Sequence, residues 1–279
     1  MKTIEELCKK IDIPKEAAAQ VAAFDAQFDY KPIEPAMEKL FSRDSWDEGC
    51  REIKAYLGED PEGLKMLACM LRCGLKTWRN YEKRGISEQI FIDTMKCFSR
   101  FMGEHKEGYG NYAFDREWWT SRQIAGELVR IGELEYEMCQ DREGRYIDLH
   151  IPSDAKLQRK NLLESLHRAR DFFKENYPAY GSVEMRCHSW LLSPTLKKLL
   201  PPKSRILGFQ ELFAIETIGV TEESEYITWV FKRPDISFKD LPENTSLQRE
   251  MKKYLLAGGQ LEDAKGTLKG DDIQNSGLN

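Results

Sequence analysis

Between Tyr146 and Trp190 the sequence reads strand, long helix, strand, and that order leaves a chain few folds to choose from. Tyr146–Ile151 alternates, with Ile147, Leu149 and Ile151 on one face and Tyr146, Asp148 and His150 on the other. Pro152 ends the run, and Ser153 or Asp154 is suited to cap the helix that follows. Leu162, Leu163, Leu166, Ala169 and Phe173 form an apolar stripe at helical spacing. The helix is expected to stop at Tyr177-Pro178, because the residue before a proline avoids the helical region. Val183–Trp190 alternates again, with Glu184, Arg186 and His188 opposite Val183, Met185, Cys187 and Ser189. Together these runs predict a βαβ crossover, with parallel neighbours and a right-handed connection. His150 and His188 then fall near the carboxyl ends of parallel strands, where open sheets bind ligands, and the helix start beside His150 suits a phosphate.

The rest of the chain narrows the class. Its 279 residues allow one large or two modest domains, and 41% hydrophobic with 32% charged residues is the balance of a globular protein. No apolar run approaches the ~18 residues of a membrane span. The charged start MKTIEELCKKIDIP lacks the apolar core of a signal peptide, so a cytoplasmic location is expected, with no membrane partner. A net charge of −5 argues against a nucleic-acid surface. The seven cysteines are scattered through predicted helices and strands, which fits buried thiols better than a disulfide set. Cys69 and Cys73 share a helix face, but no further Cys or His pair at usual spacing completes a zinc site, so no metal is expected.

Residues 1–112 read as an all-helical N-terminal domain. Pro14 opens one helix, Gly58 ends another, and Leu64, Leu67, Ala68, Leu71, Leu75 and Trp78 mark a long one after Pro61-Glu62-Gly63. No period relates these helices, which excludes a repeat array. The polar GEHKEGYGNY segment (103–112) reads as a boundary loop, followed by a helix from Asp115 to about Arg130. Trp118, Trp119 and Arg122 there have two readings: rings walling a substrate pocket while Arg122 meets an anion, or a staple to the helical domain with Arg122 in an ion pair.

Leu134, Tyr136 and Met138 share one face of the next strand, and Glu133, Glu135 and Glu137 the other, before the Gln140–Gly144 turn closes a hairpin onto Tyr146–Ile151. The glutamate row is either a solvated face or, if the two polar faces coincide, brings Glu135 or Glu133 beside His150 as a base and its orienting carboxylate. Beyond Trp190, Ala214–Val220 and Glu225–Lys232 read as a hairpin around a Thr221–Ser224 turn, and LPENTSLQREMKKYLLAGG as a last helix ended by Gly258-Gly259. The second domain is expected over 113–259, with 260–279 a flexible polar tail.

The stretches FDREWWTSRQIAGELVRIGELEYEM, IDLHIPSDAKL, CHSWLLSP and LPENTSLQR resemble the GNAT-like (Gcn5-related) N-acyltransferases of bacteria that carry a helical N-terminal domain. The resemblance implies an α+β protein: a mixed twisted sheet with a βαβ crossover, two parallel strands splaying apart, acyl-CoA in the gap, and its pyrophosphate at the start of the crossover helix. Carried onto this chain, it suggests Ile151, Ser153, Ala155, Lys156 and Arg159 for the cofactor, and Trp118, Arg122 and Trp190 for the acceptor pocket. The glycines that usually line the pyrophosphate loop are missing between Pro152 and Asn161.

Two functions follow. The first is an N-acyltransferase that moves an acyl group, acetyl being the expectation, from acyl-CoA to a small-molecule or peptide amine by direct transfer without a metal. Strand amides would hold the thioester carbonyl as the oxyanion forms, and His150 or Glu135, then His188, would take the amine's proton. Tyr136 or Cys187 would return a proton to the thiolate. The second is a degenerate acyl-CoA-binding or protein-interaction module, which the glycine-free loop favours. A cysteine enzyme is excluded, because Cys187 and His188 are adjacent on a strand and point to opposite faces.

Overall fold

The computed structural model describes residues 1–220 and 225–270. They fall into two compact units, which divide between Arg130 and Ile131.

The first unit is helical: α1 (Ile4–Lys10), α2 (Lys15–Gln27), α3 (Glu34–Lys39), α4 (Trp46–Leu57), α5 (Leu64–Arg84), α6 (Glu88–Met95), α7 (Cys97–Tyr109) and α8 (Glu117–Ala125). Its axis is α5, which packs against α1, α2, α3, α4, α6 and α8. Unbroken burial from Met66 to Leu71 is what a helix surrounded by others requires. Gly63 starts α5 at φ +66°, and a Cβ there would stand 1.9 Å from the Phe114 carbonyl oxygen, so only glycine fits.

The boundary therefore lies at 130/131 rather than 112. The 103–112 segment is mostly the end of α7, not a loop. α8 belongs to the helical unit because it buries Thr120, Ser121, Gln123 and Ile124 there. Thr77 Oγ1 donates to the Ile124 carbonyl at 2.7 Å, and Cys50 Sγ lies 3.3 Å from Ser121 Oγ. Gly126 caps α8 in the left-handed region, so that helix stops short of Arg130.

The second unit is built on a mixed sheet. Its strands are β1 (Leu128–Ile131), in which the division between the units falls, β2 (Leu134–Gln140), β3 (Arg145–His150), β4 (Glu184–His188), β5 (Phe213–Gly219) and β6 (Asp263–Leu268), in the order β1-β2-β3-β4-β6-β5. β3 and β4 are the parallel pair, joined by α9 (Arg159–Asn176). Their ladder runs from Tyr146↔Glu184 to Asp148↔Arg186, and Leu149–His150 and Cys187–His188 lie past its end among the described residues. β4 turns instead to β6, pairing antiparallel from Arg186↔Thr267 to His188↔Lys265. Ile147, Leu149, Met185 and Cys187 are buried, and so are Leu162, Leu166, Ala169 and Phe173 of α9.

Three expectations are corrected. Ser153 and Asp154 do not cap α9, which begins at Arg159 with Gln158 as its N-cap. The chain first makes a turn, Ala155 N–H donating to the Pro152 carbonyl at 2.9 Å, and passes through Leu157 at φ +52° with its side chain buried. Glu225–Phe231 is not a strand but α12, following α10 (Leu196–Leu199) and α11 (Arg205–Gln210). Tyr226, Ile227 and Phe231 share its buried face with Met251 and Leu255 of α13 (Ser246–Leu256) in a second core. The expected turn 221–224 lies outside the described residues. The true partner of β5 is β6, inside the supposed tail, where buried Ala264, Gly266 and Leu268 alternate with Lys265 and Thr267. Residues 271–279 lie outside the described part.

Candidate active site

The polar faces of β2 and β3 do coincide. Antiparallel pairing sets Glu135 opposite His150 and Glu137 opposite Asp148. Glu135 and Glu137 are buried, at 2% and 4% exposure, so the glutamate row is not a solvated face. The Glu137 carboxylate reaches the imidazole, its Oε2 2.8 Å from His150 Nε2. Asp148 Oδ2 stands 4.0 Å from the same nitrogen. Alternation along β2 places Glu137 on the right face, but only the ladder reveals the diagonal contact with His150.

Burial and charge oppose each other here. Burial lowers the pKa of His150, but the Glu137 hydrogen bond and the Asp148, Glu137 and Glu135 charges outweigh it and raise the pKa above its ordinary 6.5. Burial also raises the Asp148 carboxyl, helped by Glu137, against the lowering effect of His150 and His188. Three carboxylates around one imidazole make a strong proton acceptor with a protonated form already stabilised. No group of His, Cys, Asp and Glu suited to a metal ion occurs among the described residues.

The other sequence-selected residues are dispersed. His188 is exposed at the end of β4, register partner of Lys265. Tyr136 is fully buried on the opposite face of β2, where its hydroxyl meets Ser165 Oγ at 2.8 Å, so it does not join the His150 cluster. Cys187 is buried as well, and burial pushes its thiol well up. Trp118 is exposed in the helical unit and meets Trp119 edge-on at 5.8 Å. The Arg122 guanidinium lies over Trp119 at 4.6 Å and over Trp46 at 5.4 Å. That unit has a cavity of about 270 Å³ lined by Lys54, Asp60, Met66, His105, Phe114 and Glu117 among others, and neither Trp118 nor Arg122 lines it. Trp190, in the other unit, packs on the second core.

Ile151, Ser153, Ala155 and Lys156 form the crossover loop, and Arg159 begins α9, 3.8 Å from Glu211. Glu133 does not approach His150. Its Oε2 accepts the Lys156 backbone N–H at 2.7 Å, and its Oε1 accepts Asn161 Nδ2 at 2.9 Å.

The parallel pair, its crossover helix and the strand returning between β4 and β5 define a GNAT-like acyltransferase domain. Residues 128–268 match the family model of the GNAT-like C-terminal domain, and residues 2–126 that of the N-acyltransferase N-terminal domain. The chain belongs to this N-acyltransferase family. It is similar in fold to an acyltransferase solved with decanoyl-CoA, at 22% identity over 94% of this chain and 86% of the other, with a TM-score of 0.78. A complex of an acyltransferase with decanoyl-CoA and teicoplanin aligns at 24% identity over 95% and 86%, with a TM-score of 0.76. Comparison with curated proteins gives no match. No helix among the described residues is long and apolar enough to cross a membrane.

Proposed function

We propose that this enzyme transfers the acyl group of acyl-CoA directly to an amine, with His150 as the base. The observation carrying this reading is the partly buried His150–Glu137 contact at the carboxyl end of β3, one strand of the parallel pair. The amine nitrogen attacks the thioester carbonyl and gives its proton to His150, whose cation Glu137 and Asp148 stabilise. The carbon–sulfur bond then breaks, and the leaving thiolate takes that proton from the His150 imidazolium, which restores the neutral base. Past the end of the β3–β4 ladder, strand amides are suited to the developing oxyanion.

Acyl-CoA also fits the donor set of the crossover loop, which already holds an anionic group, the Glu133 carboxylate. Lys156, Arg159 and Lys160 add positive charge there. The acyl chain is read as open between acetyl and the medium lengths bound by the similar acyltransferases, decanoyl and octanoyl. The acceptor is read as an amine, small or peptidic, in keeping with the teicoplanin complex.

The test is calorimetric titration with CoA, acetyl-CoA and decanoyl-CoA, followed by an amine screen with wild type and His150→Ala. Binding of an acyl-CoA and turnover abolished in the variant support the reading. A folded protein that binds none of the three belongs to the second reading, a module without catalysis, which the glycine-free loop favours.

A further inference from the structure

We infer that Glu133 is the affinity-setting residue of the cofactor site: its carboxylate occupies the position that a cofactor phosphate must take. The inference rests on the acyl-CoA reading above and concerns a residue that this reading leaves without a part.

Glu133 sits in the β1–β2 turn, and both of its oxygens accept hydrogen bonds. One accepts the Lys156 backbone N–H, the other the Asn161 side-chain amide. Both donors belong to the segment that joins β3 to α9. Lys156, Arg159 and Lys160 belong to the same segment, as does the acidic Asp154; Arg159 lies 3.8 Å from Glu211, and Arg205 Nη1 donates to the Lys156 carbonyl at 3.3 Å. A loop amide, a carboxamide and several cations are the groups that recognise a phosphate oxygen. Here they hold a carboxylate that the chain itself supplies, in a loop without glycine.

Two anions cannot share those donors. A pyrophosphate arriving at the loop must move Glu133 aside or bind beside it against charge repulsion, and either lowers affinity. Glu133→Gln removes the charge and turns an NH2 group toward one of the two donors, so the carboxylate's hold on the loop is lost while side-chain size is kept.

The test compares wild type and Glu133→Gln by calorimetry with CoA, pantetheine and inorganic pyrophosphate, after melting curves establish that both are folded. Glu133→Ala is the second variant. The expected result is tighter binding of CoA by both variants, by at least about threefold, with no gain for pantetheine, which lacks the pyrophosphate. CoA binding unchanged or weakened in both variants overturns the inference and leaves the acyltransferase reading intact. An equal gain for pantetheine also overturns it, since the effect is then not one of charge. If CoA binds none of the three proteins but pyrophosphate binds the variants more tightly, the inference stands and the acyl-CoA reading falls. If neither CoA nor pyrophosphate binds any of the three proteins, both fall.

Discussion

His150 Nε2 is 2.8 Å from Glu137 Oε2, although the residue directly across the β2–β3 ladder from His150 is Glu135. The contact runs on the diagonal of an antiparallel pair, a separation that long side chains span. It leaves Glu135 buried in register with the imidazole and contributing charge to it, while Glu137 holds the ring nitrogen. A histidine on a sheet face thereby becomes an oriented base, its protonated form compensated by neighbouring carboxylates.

Replacing His150 with alanine removes the proton acceptor and leaves its carboxylates behind. Loss of a positioned general base costs about 10²–10⁴-fold in rate. The expected outcome is a fall of that size in kcat, measured by thiol release from acyl-CoA, with acyl-CoA affinity little changed. A drop below about tenfold would assign the base to another group.

The pH profile tests Glu137. The His150 imidazole accepts a proton only when neutral, so kcat rises with pH through a pKa lying above 6.5. Glu137→Gln removes the charge and leaves a weaker, neutral acceptor for the imidazole, and both changes disfavour the imidazolium. The rise should therefore move to lower pH, and the upper plateau should fall as the base weakens. An identical profile in the variant would mean that Glu137 only packs.

Most of this geometry was legible in the sequence where side chains alternate in size and polarity. Ile147, Leu149 and Ile151 against Tyr146, Asp148 and His150 fixed the faces of β3, and Pro152 and Pro178 bracketed the crossover. β6 was not legible, because Ala264 and Gly266 supply its buried face with almost no apolar bulk. Glu225–Phe231 misled for the opposite reason: a short apolar run fits either period, and packing against α13 selects the helix. The start of α9 turned on Leu157, a non-glycine residue at positive φ, which no capping rule anticipates. Alternation put Glu133, Glu135 and Glu137 on one face and suggested Glu135 or Glu133 as the partner of His150; the contact with Glu137 depends on register, which is a property of two strands.

Gly266 explains how so slight a strand occupies the sheet interior between β4 and β5. A Cβ there would lie 2.9 Å from Phe213 Cβ and 3.0 Å from Leu192 Cδ1. Overpacking of this kind costs about 1–3 kcal/mol, against about 0.4–1 kcal/mol gained by restricting the unfolded chain. Gly266→Ala should therefore lower the urea midpoint, and Gly266→Val should lower it further. An alanine variant as stable as wild type would show that Phe213 and Leu192 can yield.

Tyr136 separates a structural hydroxyl from a catalytic one. Ser165 Oγ donates its single proton to the Ile131 carbonyl, so the 2.8 Å contact with Tyr136 is one in which the tyrosine donates. The ring is fully buried, and burial pushes the phenol pKa upward against the lowering contributed by Ser165. The phenol is engaged with Ser165 on the face of β2 opposite His150, which fits a structural hydroxyl. Tyr136→Phe leaves the ring in place and removes one buried hydrogen bond, which costs about 0.5–1.5 kcal/mol. The expected outcome is a lower unfolding midpoint with kcat and its pH profile unchanged. Loss of the alkaline limb of that profile, with stability intact, would instead return Tyr136 to the chemistry as the acid that protonates sulfur.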